Sequence, residues 1–472
     1  MERLPLSSKI IQGGMGVNIS GWRLARTNSL QGQLGTVSGV VLERVLARQL
    51  QMGDPGGHLR RALSHFPFPS FSKEVEKHFY VEGGIAEGTQ FKAVPMFTIN
   101  PSKLLISLTV CANFAFVWLA KENNPNPVSI NYLEKVSMPH IYAITGAMLA
   151  GVDFITMGAG IPFQIPNVIE SIAEGKPVTY RIPVIGNKIK NHTVSFEPEK
   201  FFGEKLPISK KPGFIPIIAS NRLANILSGK LPKGSISAFV VELWTAGGHN
   251  APPVEILFGT DGKPLPIYGE KDLIDYKKLT DLGIPWYLGG SQASPEKLQW
   301  ALSVGASGIQ AGSIYALCDE SDMYFEIKKT ARKLGFQGKL IIRTDMLISP
   351  TGFPFKVAVL FGTLSEHDIY ESRIRICNQG ALVSLYERED GLIGYRCPAE
   401  PIDQFIRKGG DISETFGRGC LCNGLGTTGG VGNYGEPAIM TLGDDLSFLL
   451  FLMKDENDSY SAQDATNYLL GY

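Results

Sequence analysis

Two short turns built from glycine and serine, Gly289-Gly290-Ser291 and Gly312-Ser313, carry the clearest chemical signal in this chain. Each follows an apolar run of strand character, residues 284–288 and 307–310, and each precedes a helical pattern. Pro295 suits the first turn of the helix between them, with Ser294 as its N-cap. Bare backbone N–H groups and hydroxyls at helix starts bind anions, and the partial positive charge of the helix N-termini adds to the attraction. A single Gly-Gly turn needs no ligand, because glycine simply permits tight turns. Two successive strand-to-helix turns, spaced like the last two units of a (β/α)8 barrel, point to a phosphate, with Gln310 and Ala311 at the strand end beside it. A second chemical group lies upstream. The apolar run 237–244 leads into Thr245-Ala246-Gly247-Gly248-His249, and the two glycines let the chain turn so that the histidine faces a barrel mouth. Histidine titrates near neutrality and can take or give a proton there.

These segments resemble a known family. The stretch GIPWYLGGSQ…ALSVGASGIQAGSIYAL is similar to the FMN-phosphate segment of nitronate monooxygenases, formerly called 2-nitropropane dioxygenases, whose neighbouring branch is the flavin-dependent enoyl-acyl-carrier-protein reductases. The resemblance runs, with gaps, over residues 9–358 and implies an FMN-binding barrel. It implies that Gly289, Gly290, Ser291, Gly312 and Ser313 hold the FMN phosphate, and that Gln310 and Ala311 add contacts. It further implies that the loop 13–16, with Gly14, Met15 and Gly16, lies along the flavin ring, that Asn131 stands near it, and that Gly247 and Gly248 lead to His249 as the catalytic base. One departure is visible: such families commonly carry a glutamate where Thr245 stands, which bears on the substrate rather than on the flavin.

The elements that must position these residues follow a strand–helix rhythm. Strands are expected at residues 9–12, 33–38, 91–99, 127–132, 153–157, 213–220 and 237–244, ahead of the two already described. Ser220 then falls at a strand C-terminus, where barrel chemistry sits. Residues 42–92 form a long connection with helices and the run Phe66-Pro67-Phe68-Pro69. Residues 176–212 break the rhythm with alternating apolar and polar positions around Gly186-Asn187 and read as an inserted β-hairpin arm. The fold class is α/β: a (β/α)8 TIM barrel over residues 1–355, with the arm, and a mainly helical C-terminal cap over residues 356–472. The polar residues 455–472 are expected to be loosely held.

With 45 basic and 45 acidic side chains among 472 residues, the net charge is zero, which gives no general pull toward nucleic acid or anionic membranes. Residues 104–120 are uncharged, but a spanning helix needs about 17–25 apolar residues, and Ser107, Thr109 and Asn113 interrupt this run, so a buried helix is the expectation. No charged-then-apolar leader opens the sequence, and six cysteines in a chain of this length point to a reducing cytosol rather than a disulfide scaffold. Cys377, Cys397, Cys420 and Cys422 fall in the tail with one close C-x-C pair, which is read as buried free thiols and not as a metal site. The expected partners are a small-molecule substrate with O2 as acceptor. For the neighbouring branch they are NAD(P)H and an acyl carrier protein. A non-catalytic barrel binding a phosphorylated ligand is the third reading. Nucleotide dehydrogenase chemistry of the inosine monophosphate type is disfavoured, because the loop after Trp244 has no cysteine.

Overall fold

Eight short apolar runs become the staves of one barrel. The computed structural model describes residues 6–186, 191–260 and 262–472. Its strands are β1 (Ile10–Gln12), β2 (Gly35–Ser38), β3 (Val128–Leu133), β4 (Phe154–Gly158), β5 (Gly213–Ile218), β6 (Phe239–Glu242), β7 (Trp286–Gly289) and β8 (Gly308–Ala311). They pair in parallel, each with its neighbour in chain order, and β8 returns to β1 through Ile10↔Ile309. A bridge between Ile11 and Leu34 joins β1 to β2 and closes the ring. Alternation sorts the side chains: Ile11, Phe154, Ile215, Ala238, Val240 and Tyr287 fill the interior, while the residues between them face the surrounding helices.

The closing seam is narrow, and Gln12 reinforces it. The Gln12 N–H donates to the Leu34 carbonyl at 2.9 Å. Its side-chain amide repeats the ladder pattern, accepting from Thr36 N at 2.9 Å and donating to Thr36 O at 3.2 Å. Gln12 is completely buried, and its amide is satisfied by this pairing together with the Gly13 carbonyl, to which Nε2 also donates.

The apolar helix Lys103–Lys121 is long and apolar enough to cross a membrane, yet most of it is buried in this fold. It packs against the helices Trp22–Leu30, Leu42–Gln51, His58–Ser64, Pro69–Phe79 and His140–Leu149. Its polar side chains are satisfied locally: Thr109 Oγ1 donates to Leu105 O at 2.7 Å, and Asn113 Oδ1 accepts from the Tyr132 hydroxyl at 2.9 Å.

Two expectations are corrected. Residues 91–98 form no strand and run as irregular chain. The Arg44 guanidinium takes the carbonyls of Val94 and Pro95, so those groups are not free to join a ladder. The C-terminus is not loosely held: the helix Ala462–Leu470 buries Ala462, Ala465 and Leu469 and packs on Trp22–Leu30 and Pro295–Ser303. Its apolar positions, three and four apart, make one face that local polarity conceals. The long connection 42–92 is tied to the arm, since Phe66, Phe68 and Phe71 pack their rings against Phe202.

The arm pairs Val178–Ile182 with His192–Phe196 in antiparallel register, and Val184–Ile185 adds to the strand Ser384–Glu387 of the tail. Asn187, at the expected turn, lies outside the described residues. Residues of the tail share the hydrophobic cluster that surrounds the barrel, among them Leu360, Val431, Met440, Leu442 and Phe448.

Replacing Gln12 by Leu keeps the volume and removes all three amide bonds, leaving the Thr36 N–H and the Thr36 and Gly13 carbonyls without that partner. The expected cost is about 1–3 kcal/mol of stability, read as a lower urea midpoint. An unchanged midpoint would show that the seam does not depend on this amide.

Candidate functional site

A cavity of about 240 Å³ opens at the C-terminal ends of the strands, where a barrel's loops converge. The loop 13–16, Asn131, Gly158, Ile217, Glu242, Ser291, Gln310 and Ser313 bring walls from seven of the strands, and Val40 and Val41 follow β2. The tail supplies the remaining wall through Leu382, Leu421, Cys422, Leu425, Leu442 and Asp445.

Most of the residues singled out from sequence meet here: Gly14, Met15, Gly16, Asn131, Gly247, Gly248, His249, Gly290, Ser291, Gln310, Ala311, Gly312 and Ser313 all line the cavity. Gly14 lies so close to β3 that a Cβ would fall 2.2 Å from the Asn131 Cβ, while Asn131 Nδ2 donates to the Gly14 carbonyl at 3.3 Å. Gly290 takes φ +96° after β7, turning the chain across the mouth. Two residues stand apart. Gly289 is buried within β7 beside Gln310 and does not line the cavity. Ser220 is exposed and caps the helix Asn221–Lys230, its Oγ accepting from Leu223 N at 3.2 Å. The strand β5 ends at Ile218, so the chain has left the mouth before Ser220.

The anion turns keep their helix starts. Ser294 caps Pro295–Ser303, and the Ser291 hydroxyl reaches Thr245 O at 3.3 Å. Ser313 Oγ accepts from Gly443 N at 2.8 Å, which ties the tail to the second turn. Lys297 Nζ donates to Ser291 O at 2.5 Å and pairs with Asp445 at 2.6 Å, so that ion pair leaves no net charge at the rim. A cofactor with a phosphate and a flat polar ring fits these residues on two counts. A Cβ on Gly312 would meet only Met15 Sδ, at 3.7 Å, which leaves that backbone open to the cavity. Asn131 Oδ1 and Gln292 Oε1, both on cavity-lining residues, are buried acceptors with no protein partner.

His249 is aimed by Gly248, at φ +83°. Its Nε2 lies 2.8 Å from Ser349 Oγ and 3.4 Å from Thr351 Oγ1, and its ring stands edge-on to Phe355 at 5.0 Å. Burial, with the Lys135 charge as second cause, pushes its pKa down to about 3, so the imidazole is neutral at physiological pH.

Sequence reasoning passed over Glu242. Alternation along β6 puts Ala238 and Val240 inside the barrel, and the next residue of that row, Glu242, is the one that reaches the mouth. Burial pushes its carboxyl up to about 7, with the Lys135 charge opposing, while burial brings Lys135 down to about 8. The period-two pattern was legible in the sequence, and applying it to the end of the strand would have found this carboxylate. Glu134, raised to about 7 by burial, accepts from the Tyr180 hydroxyl of the arm at 2.6 Å.

No protein-family model matches the chain, and no curated protein matches it. Among solved structures it is similar to FabK from Thermotoga maritima, at 13% identity over 99% of this chain and 92% of that one, with a TM-score of 0.48. It is also similar to nitroalkane oxidase from Streptomyces ansochromogenes, at 11% identity over 98% of this chain and 95% of that one, with a TM-score of 0.45. The enoyl reductase domain of MlnA from Bacillus amyloliquefaciens matches at 12% identity over 75% of this chain and 64% of that one, with a TM-score of 0.36. At these identities and scores the likenesses carry no inference about activity, which rests on the chain's own barrel and cavity.

The Glu242 carboxyl gives a signed pH effect. Its folded pKa of about 7 exceeds the ordinary value of 4.5, so the folded state holds the proton more tightly and stability falls as pH rises through that window. Glu242→Gln removes this loss. The Tm of the variant minus that of the wild type should therefore grow between pH 5 and pH 8, and an equal difference at both would show that the carboxyl is not raised.

Proposed function

We propose that this protein is an FMN-dependent oxidoreductase that oxidises nitronates or nitroalkanes, with O2 as the electron acceptor. The observation that carries the reading is the placing of a neutral histidine, His249, on the same cavity wall system as two glycine-serine turns and a glycine loop. FMN, when bound, would supply the electron transfer. Ser291, Gly312 and Ser313 would hold its phosphate with their backbone N–H groups, and the loop 13–16 would lie along its ring without bulky side chains in the way. Asn131 Oδ1 and Gln292 Oε1 would accept hydrogen bonds from ring N–H groups.

The chain's own residues then handle the proton and the charge. His249 is unprotonated at neutral pH, and a nitronate forming beside it would bring the negative charge that favours the imidazolium against burial, so that it can accept the proton from carbon next to the nitro group. Ser349 and Thr351 hold its Nε2 side, fixing the ring. Lys135 gives positive charge within range of both His249 and Glu242, which favours an anionic substrate in the cavity. Glu242, whose carboxyl burial raises to about 7, is a second group on the cavity wall that can take or give a proton near neutral pH. A preformed nitronate requires none of this proton chemistry, only the charge.

The apolar wall formed by Leu382, Leu421 and Leu425 favours a second reading, NAD(P)H-dependent reduction of an enoyl thioester on a carrier protein. In that reaction His249 would orient or protonate the thioester.

The protein should purify yellow with FMN, and Gly290→Glu, which puts a carboxylate at the phosphate turn, should lose the flavin. Full flavin occupancy in that variant would refute the phosphate assignment.

His249→Asn should lower kcat/KM for a neutral nitroalkane by about 10²–10⁴-fold while sparing the matching nitronate and the flavin. Equal losses on both forms would leave His249 a binding residue. The same split in Glu242→Gln alone would move the base role to Glu242. NAD(P)H consumption with an enoyl thioester, and no oxidation of either nitro form, would establish the second reading.

A further inference from the structure

A strap of the tail, residues 441–445, crosses the turns that carry the phosphate site and the histidine. Thr441, Leu442, Gly443 and Asp445 line the cavity. Thr441 Oγ1 accepts from Gly248 N at 2.7 Å, and Asp444 N donates to Thr245 O at 3.0 Å, which fixes the strap to the loop after β6. Gly443 N donates to Ser313 Oγ at 2.8 Å, at the turn after β8. The strap lies so close to the β6 loop that a Cβ on Gly443 would fall 2.9 Å from Thr245 O. Lys356, itself buried, adds an anchor through both Asp444 carboxylate oxygens at 2.6 and 2.8 Å. Among the described residues, Asp445 alone carries the strap to the turn after β7. It does so through one ammonium: Lys297 Nζ donates to Asp445 Oδ2 at 2.6 Å and to Ser291 O at 2.5 Å.

Lys297 stands where a helix least favours a cation. It lies in the first turn of Pro295–Ser303, and its backbone N–H donates to the Ser294 cap. Side chains on a helix lean toward its N-terminus. The ammonium is therefore carried to the positive end of the helix dipole, where anions are stabilised and cations are not. A negative group in front of it removes the conflict, and in this structure that group is Asp445. Ser447 holds the other oxygen of the same carboxylate, its N–H and hydroxyl donating to Oδ1 at 3.0 and 2.7 Å, so Oδ2 faces Lys297. A second observation at this turn points to a ligand. Gln292 is 7% exposed and lines the cavity, and its Oε1 has no protein partner, while its Nε2 donates to Gly290 O at 2.7 Å.

We propose that Asp445 is an internal substitute for the flavin phosphate: it pairs with Lys297 in the flavin-free protein, and the phosphate of FMN takes Lys297 from it. This rests on the FMN reading above and adds to it a residue outside the cavity lining, Lys297, that selects the phosphorylated flavin. A phosphate monoester carries about −1.5 to −2 charge at neutral pH against the single charge of a carboxylate, so it is the stronger partner for one ammonium. The exchange swaps ion pairs alone: no covalent bond forms or breaks, and no proton moves. It also has a mechanical side. Lys297 is the strap's one link to the β7 turn among the described residues, so the exchange frees that end of the strap, while the bonds of Gly443 to Ser313 and of Lys356 to Asp444 keep the rest in place.

The test compares the dissociation constants of FMN and of riboflavin, which lacks the phosphate, for the flavin-free full chain, read by quenching of flavin fluorescence. Riboflavin reports the ring pocket and the fold, and the ratio of the two constants reports the phosphate. Lys297→Met should weaken FMN about 10–100-fold and leave riboflavin unchanged. Lys297→Arg, which keeps the cation, should retain most of the preference for FMN. Because Lys297→Met can disturb the helix start, Asp445→Asn tests the same exchange from the other partner: it should tighten FMN about two- to five-fold, again without effect on riboflavin. In the double variant that gain should vanish, since no ammonium is left to release. An equal gain with and without Lys297 would show plain repulsion between Asp445 and the phosphate and would overturn the exchange. Weaker FMN binding in Asp445→Asn would overturn it as well. A ratio that Lys297→Met leaves unchanged would overturn the proposal while flavin binding itself stands, and a wild type that binds neither flavin would overturn the FMN reading and the proposal together.

Discussion

Everything at the mouth of this protein depends on closing an eight-strand ring at its weakest joint, between β1 and β2. An open parallel sheet would leave two rows of unpaired backbone groups and would place the first and last strands far apart. Here β1 is three residues long and must serve β8 on one side and β2 on the other. The Leu34 bridge and the buried Gln12 amide make the second contact, and the glycine loop 13–16 begins at the next residue. The seam that closes the barrel thus sets the position of the loop that walls the cavity.

Closure also decides the electrostatics. Inward positions low in the barrel are apolar, and the same rows end in Glu242 and the residues around it, with Lys135 on the loop after β3. Charges at the rim of an apolar core are poorly solvated, which moves Glu242 up, Lys135 down and His249 down together. The shifts are joint properties of one low-dielectric mouth. They leave His249 neutral and Lys135 still mainly charged at physiological pH, and they bring Glu242 nearest to the range where proton exchange is easy.

The tail completes what the barrel begins. Gly443 N meets Ser313 Oγ, Gly248 N donates to Thr441 Oγ1 at 2.7 Å, and Lys356 N donates to Gly248 O at 2.9 Å, so segments far apart in sequence fix the turns on both sides of His249. The arm does similar work at Glu134 through Tyr180. Residues outside the barrel strands therefore supply a wall and the restraints of a site whose floor the strands make.

The sequence by itself determined the repeating strand–helix order, the two glycine-serine turns, the capped helix at Pro295 and the histidine after Gly247-Gly248, because each is set by local rules: period, capping and the freedom of glycine. It misplaced Ser220, since one or two residues past a strand end decide whether a side chain faces the mouth or caps a helix. It took residues 91–99 for a strand because their composition suits one, whereas pairing is decided by which neighbour arrives. It passed over Glu242, whose pattern was local but whose raised pKa is not, since burial comes from seven other strands and a distant tail. Local propensity travels with the sequence, while dielectric, approach and convergence exist only once the chain has closed on itself.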